Sequence, residues 1–76
     1  MHAVTASDEL TGREVEVMRG LARGRSNKEI AASLAIGEET IKTHVGHVLA
    51  KLQVDNRTQA LVQALKRGLI ALEELE

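Results

Sequence analysis

The chain has 76 residues, a formal net charge of −1, and no cysteine, proline, tryptophan, tyrosine or phenylalanine. This length allows one small domain, and the lack of cysteine excludes a disulfide framework, thiol catalysis and a cysteine-based zinc site. The lack of aromatic rings argues against a protein that stacks the bases of single-stranded nucleic acid. We expect a cytoplasmic domain without a membrane span or a signal peptide.

Charge is distributed unevenly along the sequence. Basic residues outnumber acidic ones between Arg23 and Arg57, whereas acidic residues concentrate before and after that stretch. Because DNA binding depends on local rather than overall charge, the middle section is the candidate for contact with phosphate. We predict a flexible N-terminal segment over 1–8, a folded domain over 9–70 and an acidic C-terminal tail over 71–76.

The first two helices are predicted from capping boxes. Thr11 and Glu14 have the spacing at which each side chain satisfies the backbone N–H of the other residue. Ser26 and Glu29 repeat that spacing ahead of the second helix. Gly24 is placed to end the first helix in the left-handed conformation that glycine adopts without strain.

A tight connection through Ile36 and Gly37 separates the second helix from the third. The second helix is predicted to end near Ala35. Its buried positions are predicted to be Ile30, Ala31 and Leu34. The third helix is predicted over about 38–53, because five apolar residues recur at helical spacing and fall within about 100° of one another. These residues are Ile41, Val45, Val48, Leu49 and Leu52.

A short helix, a tight turn and a longer helix with a polar outer side are typical of a helix-turn-helix. The second of the two fits the major groove of DNA, since a helix with its side chains is about 10–12 Å across and the groove about 12 Å wide. The predicted base contacts are Lys42, Thr43, Gly46 and His47. The predicted phosphate contacts are Asn27, Lys28, Thr40, Lys51 and Arg57.

A fourth helix is predicted over about 56–67, between the capping residues Asp55 and Asn56 and the terminating Gly68. Its apolar residues cover too wide an arc for all of them to be buried in one small core. Apolar surface left exposed in a monomer is typical of a self-pairing interface. The predicted homodimer contacts are Thr58, Leu61, Val62 and Leu65.

Two other classes of function compete with DNA binding. A small amphipathic bundle also serves as a protein-interaction module that dimerises or docks on polymerase without touching DNA, and the helical pattern alone leaves this open. An enzyme is the poorest interpretation, because the capping boxes explain Glu14 and Glu29 and no nucleophile pattern or deep pocket is evident. We predict that the chain is not an enzyme.

His44 and His47 stand three residues apart, a spacing at which two imidazoles can hold one metal ion. The sequence shows no third ligand nearby, since Glu39 lies more than one helical turn away. We therefore predict no metal site and no cofactor. His44 is interpreted as a partly buried residue that forms a hydrogen bond near the turn.

Five segments resemble helix-turn-helix domains of the LuxR/GerE type. They are Leu10–Val15, Ser26–Ala31, Glu39–Val45, Lys51–Val54 and Arg57–Ala60. The segments follow the family's order and spacing over roughly residues 9–70, which makes the resemblance specific. It implies an all-α, four-helix domain whose third helix reads double-stranded DNA and whose fourth helix pairs two copies.

The resemblance also implies a larger protein: a bacterial transcription regulator, such as a NarL/FixJ-like two-component response regulator, with an N-terminal receiver or sensor domain. Matching positions imply base or nearby backbone contacts by Lys42 and Thr43, with His47 adjacent. They imply backbone contacts by Asn27, Lys28, Thr40 and Lys51. Two residues depart from the family: Gly37 stands where serine is common, and Gly46 where a longer polar residue often faces the groove.

Overall fold

The computed structural model describes residues 10–75, and in that range the regular structure is entirely helical. The helices are α1 (Gly12–Ala22), α2 (Asn27–Leu34), α3 (Glu38–Leu52) and α4 (Arg57–Lys66), followed by a 3-10 helix over Leu72–Leu75. The predicted all-α fold is confirmed. No helix within these residues is long and apolar enough to cross a membrane. The predicted N-terminal segment 1–8 lies outside the described residues.

Both predicted capping boxes are present. The Thr11 hydroxyl accepts the Glu14 N–H at 3.1 Å, and the Glu14 carboxylate accepts the Thr11 N–H at 2.9 Å. The second box, between Ser26 and Glu29, has the corresponding distances of 3.1 and 2.8 Å. These reciprocal bonds satisfy backbone donors that a helix leaves without partners, so they determine where α1 and α2 begin.

The four α-helices of residues 10–75 all end in the same left-handed turn. In each, the N–H just beyond the turn donates to the carbonyl five residues earlier, as in Arg25 to Gly20 at 3.0 Å. Two turns use the predicted glycines, with φ of 77° at Gly24 and 72° at Gly68. The turns after α2 and α3 instead use Ala35 (φ 56°) and Gln53 (φ 58°). A residue with a Cβ atom is strained in this region.

The core lies around α1 and α3, each of which contacts the other three helices. It consists of Val17, Met18, Leu21, Ile30, Ala31, Ile41, Val48, Leu52, Ala60, Ala64 and Ile70. Three residues predicted to be buried, Leu34, Val45 and Leu49, are only half-buried and pack against this core from its edge. A domain of this size covers only the centre of each apolar helix face.

Gly20 allows α1 and α2 to approach closely. A Cβ atom at this position would lie 2.7 Å from Ile30 Cγ1, so a larger residue fits only if Ile30 shifts. The periodicity of apolar residues gave no indication of this contact, because glycine inside a helix adds nothing to a hydrophobic pattern.

Glu14 also links α1 to α3. It is 4% exposed, and its Oε1 atom accepts a second hydrogen bond from Lys51 Nζ at 2.8 Å. The capping box therefore explains only part of the role of Glu14. The side chain of Lys51 is 22% exposed, so this ion pair is largely shielded from solvent.

The surroundings of Glu14 favour its charged form. Burial opposes ionisation, but the hydrogen bonds from Lys51 and the Thr11 N–H, with the positive charges of Lys51 and His47, outweigh burial and lower the pKa of Glu14. Glu14 is therefore an ionised carboxylate at neutral pH, held between the two central helices.

Replacing Ala35 with glycine should raise the free energy of unfolding by about 0.5–1 kcal/mol. Relief of left-handed strain, about 1–2 kcal/mol, exceeds the stabilisation of the unfolded chain by glycine, about 0.4–1 kcal/mol. Urea unfolding measures the change. Gly24→Ala is the matched control and should lower the free energy of unfolding. A Cβ atom there meets nothing within 4 Å, so any loss of stability comes from the strained backbone conformation and not from a steric clash. If neither Ala35→Gly nor Gly24→Ala changed the free energy of unfolding, backbone strain in the left-handed turns would be contradicted.

Lys51→Met should lower the free energy of unfolding by about 1–3 kcal/mol, less than for a fully buried pair because Lys51 is partly exposed. The variant leaves the buried Glu14 carboxylate without its main cation. Glu14→Gln should cost less, because glutamine continues the capping box and Lys51 can reach solvent. Lys28→Met, at an exposed position, is the matched control. An equal loss from Lys28→Met and Lys51→Met would contradict a special role for the ion pair.

The same ion pair predicts a pH dependence. Because the folded-state pKa of Glu14 lies below its unfolded value, the pair stabilises the fold above the unfolded carboxyl pKa of about 4.3. That contribution is lost as pH falls through the lowered pKa. The difference in unfolding free energy between wild type and Glu14→Gln should therefore narrow in acid, and a difference independent of pH would exclude this linkage.

Candidate nucleic-acid interface

The turn between α2 and α3 has the predicted form. It passes through the left-handed Ala35 and the half-buried Ile36 to Gly37, which precedes α3 without a side-chain capping bond. Helix α2 has 8 residues and α3 has 15, and the two helices are in contact. This short helix, tight turn and long helix form a helix-turn-helix.

One side of α3 is accessible, and we call it the α3 outer face. It consists of the exposed residues Lys42, Thr43, Gly46 and His47. Ile41 and Val48, on the inner side of the same helix, are completely buried. The structure therefore places the four predicted base-contact residues together on one accessible surface.

Local contacts on the α3 outer face are weak. Lys42 Nζ lies 3.2 Å from Glu39 Oε2, but both side chains are exposed, and such pairs contribute little. The Thr43 hydroxyl donates to the Glu39 carbonyl at 3.3 Å. A Cβ atom on Gly46 would meet nothing within 4 Å. The surface therefore offers an ammonium group, a hydroxyl, an imidazole and, at Gly46, open space.

Asn27 and Lys28 are the first two residues of α2. The first backbone bond of this helix runs from the Ile30 N–H to the Ser26 carbonyl at 2.9 Å. The Glu29 N–H is occupied by the Ser26 hydroxyl. The N–H groups of Asn27 and Lys28 precede the helical hydrogen-bond ladder, so they are donors of the type that binds phosphate at helix N-termini.

The other three predicted phosphate contacts have different surroundings. Thr40 is exposed in the first turn of α3. Lys51 is bound to Glu14, and Arg57 Nη2 donates to the carbonyl of Arg25, which ties the start of α4 to the α1–α2 loop. Lys51 and Arg57 thus each connect two parts of the fold, a role that the sequence did not indicate because their partners are distant along the chain.

His44 and His47 lie beside Glu14. His47 Nδ1 is 3.7 Å from Glu14 Oε2, and its side chain is 60% exposed. One ring nitrogen of each histidine and one Glu14 oxygen lie within 4.8 Å of one another. The sequence-based view that no third ligand is near was wrong, because Glu14 comes from another helix. His44 Nδ1 is buried without a hydrogen-bond partner, so that atom does not form the predicted hydrogen bond.

The four predicted dimer contacts on α4 differ in exposure. Thr58 is exposed, and Val62 is 43% exposed. Both line a shallow groove together with Val54. Leu61 and Leu65 are half-buried and pack against the core. The most accessible apolar side chain of the four is therefore that of Val62.

Comparison with known proteins identifies the family. The family model for GerE, described as bacterial regulatory proteins of the luxR family, matches residues 8–64, which is most of the chain. This match includes the capping boxes, the helix-turn-helix and most of α4.

Curated relatives are longer than this chain. The transcriptional regulatory protein YhcZ of Bacillus subtilis is 56% identical over 61 residues, which cover 80% of this chain and 28% of YhcZ. The response regulator protein VraR of Staphylococcus aureus is 48% identical over 61 residues, which cover 80% of this chain and 29% of VraR. The chain thus spans less than a third of the length of either relative.

Solved structures share the fold. The response regulator ChrA of a heme-sensing two-component system superposes with a TM-score of 0.78 at 47% identity, covering 82% of this chain and 31% of ChrA. The transcription factor GerE superposes with a TM-score of 0.77 at 40% identity, covering 83% of this chain and 94% of GerE. The chain belongs to the LuxR family of bacterial regulatory proteins and is a DNA-binding helix-turn-helix domain of the kind found in response regulators.

Proposed function

We propose that the chain binds specific sequences of double-stranded DNA with α3 in the major groove. The observation that carries this proposal is the α3 outer face. The apolar side of α3 is closed off by the core, while Lys42, Thr43, Gly46 and His47 are accessible together. A helix of about 10–12 Å diameter enters a groove about 12 Å wide, so these are the side chains that meet base edges.

Each residue of the α3 outer face has a distinct role in this proposal. Lys42 donates to the acceptors of guanine, and the Thr43 methyl group packs against the methyl group of thymine. His47 supplies a further polar contact. Gly46, which has open space around it, lets the helix backbone approach the bases closely. Lys42 must leave Glu39 to reach DNA, at a cost of about 0–1 kcal/mol for an exposed pair.

Phosphate contacts orient the domain on the duplex. The N–H groups and side chains of Asn27 and Lys28 bind phosphate at the start of α2, and Thr40 donates its hydroxyl from the start of α3. In this proposal Lys51 and Arg57 lie at the edge of the DNA-binding surface. They contribute positive charge while still bonded to Glu14 and to the Arg25 carbonyl, respectively. Glu38 and Glu39 in the first turn of α3 repel phosphate, so the contact at this helix end is limited to the Thr40 hydroxyl.

A second copy of the chain binds through α4. Val62 and Thr58 form the exposed part of this interface, with Leu61 and Leu65 at its border with the core. Two copies then read half-sites about 10–10.5 base pairs apart. The exposed apolar area is small, so we propose a weak dimer that DNA stabilises.

The chain functions in this proposal as the output domain of a response regulator. VraR and ChrA are named as response regulators, and this chain matches less than a third of each. A receiver or sensor domain of the same protein would control the DNA-binding domain. The domain acts in the cytoplasm, where bacterial DNA lies, and it binds rather than catalyses.

Lys42→Ala should weaken binding to a duplex selected from random sequences by about 5- to 150-fold, the equivalent of about 1–3 kcal/mol for one base contact. Fluorescence anisotropy measures the affinity, and circular dichroism should show unchanged helicity. Lys66→Ala, on the exposed end of α4, is the matched control and should bind as wild type does. Wild-type affinity in Lys42→Ala would exclude the proposed base contact.

Salt dependence separates DNA binding from protein docking in the same assay. Affinity for the selected duplex should fall steeply as salt rises, because phosphate contacts release counterions. Selection that enriches no sequence, with binding insensitive to salt, would instead favour a protein-interaction module.

Val62→Glu should abolish self-association and cooperative binding to two half-sites while leaving affinity for one half-site unchanged. A charged side chain at the centre of the proposed interface cannot be buried without a partner. Sedimentation equilibrium measures the association, and duplexes with one or two half-sites measure the cooperativity. Glu73→Ala, an exposed change beyond α4, is the control. Intact cooperativity in Val62→Glu would place the interface elsewhere.

A further inference from the structure

Glu14, His44 and His47 converge where α1 packs against α3. One oxygen of the carboxylate and one nitrogen of each imidazole lie within 4.8 Å of one another. We propose that these three residues form a binding site for a divalent transition metal, with Zn²⁺ as the ion that suits them best. The DNA-binding mechanism proposed above does not require such a site.

The carboxylate of Glu14 has one oxygen available for a metal. Its Oε1 atom accepts hydrogen bonds from both the Lys51 ammonium and the Thr11 N–H. Its Oε2 atom lies toward His47 Nδ1 at 3.7 Å, too far for a hydrogen bond. A metal on Oε2 therefore leaves the capping box and the Lys51 ion pair in place, and those bonds orient the carboxylate as outer-shell partners do.

The histidines complete the donor set. His44 Nδ1 is buried and has no hydrogen-bond partner, which marks the ring as incompletely satisfied within the protein. His47 is 60% exposed, so its side chain is free to turn toward Oε2 and leaves a path for an ion from solvent. The two residues lie one helical turn apart, on the part of α3 that borders α1.

Metal chemistry favours zinc over magnesium or calcium. Two imidazoles and a carboxylate are the ligand set of open zinc sites, with bonds of about 2.0–2.2 Å and a fourth position left for water. Hard cations require more oxygen ligands than this cluster has. The neighbouring Lys51 ammonium opposes a second cation, so the affinity should be moderate rather than that of a structural zinc site.

Occupancy of this site would affect the α3 outer face. His47 belongs to that face, and a metal-bound imidazole is not available to a base. Competition between metal and DNA is a consequence that rests on the proposed function, whereas the metal site itself does not.

Titration with ZnCl₂ in the absence of DNA tests the site. Isothermal calorimetry at neutral pH should show one Zn²⁺ per chain, and His47→Ala and Glu14→Gln should each weaken binding by at least about tenfold. His47 is exposed and Gln keeps the capping box, so both variants should fold, as circular dichroism verifies. His2→Ala, which removes the remaining histidine of the chain, is the matched control and should bind as wild type does.

Spectroscopy identifies the ligands directly. Addition of Zn²⁺ should shift the imidazole NMR resonances of His44 and His47 and leave those of His2 in place. The proposal is overturned if Zn²⁺ does not bind, if His47→Ala binds it as wild type does, or if His2→Ala loses it. These measurements involve no DNA, so their failure is distinct from failure of the proposed function.

Discussion

The contact between the Glu14 carboxylate and Lys51 joins α1 and α3, the two central helices on whose packing the rest of the domain depends. The carboxylate begins α1 through the Thr11 N–H and holds α3 through Lys51. Because Glu14 is 4% exposed, loss of Lys51 would leave a buried carboxylate without its main cation. This bond holds Lys51 on the side of α3 that faces α1, and together with the buried Ile41 and Val48 it fixes the rotation of α3 about its own axis.

That rotation decides which residues of α3 remain accessible. With Ile41 and Val48 buried and Lys51 held against α1, the outer side of the helix presents Lys42, Thr43, Gly46 and His47. The residues proposed to read DNA are therefore positioned by core packing and by an ion pair, and none of them belongs to either. Of the four, His47 lies beside the Glu14–Lys51 ion pair, with its Nδ1 atom 3.7 Å from Glu14 Oε2.

The helix ends show a second constraint. The left-handed turns after α1 and α4 use glycine, whereas those that bracket α3 use Ala35 and Gln53. The two helix ends that set the position and the length of α3 are therefore the strained ones. A domain of this size buries a limited apolar area, so its core supplies only a small free energy to offset strain in these turns. Tight packing, such as the approach of Gly20 to Ile30, adds to the stability that such turns require.

The sequence by itself determined the local features: both capping boxes, the glycine turns, the four helices and the polar side of α3. These depend on residues within about one turn of each other, so their spacing is sufficient. Only the tertiary structure decided what Lys51, Arg57 and Glu14 contact, because their partners lie on other helices. The same reason hid the Glu14, His44 and His47 cluster, since periodicity along one helix carries no information about the helix packed against it.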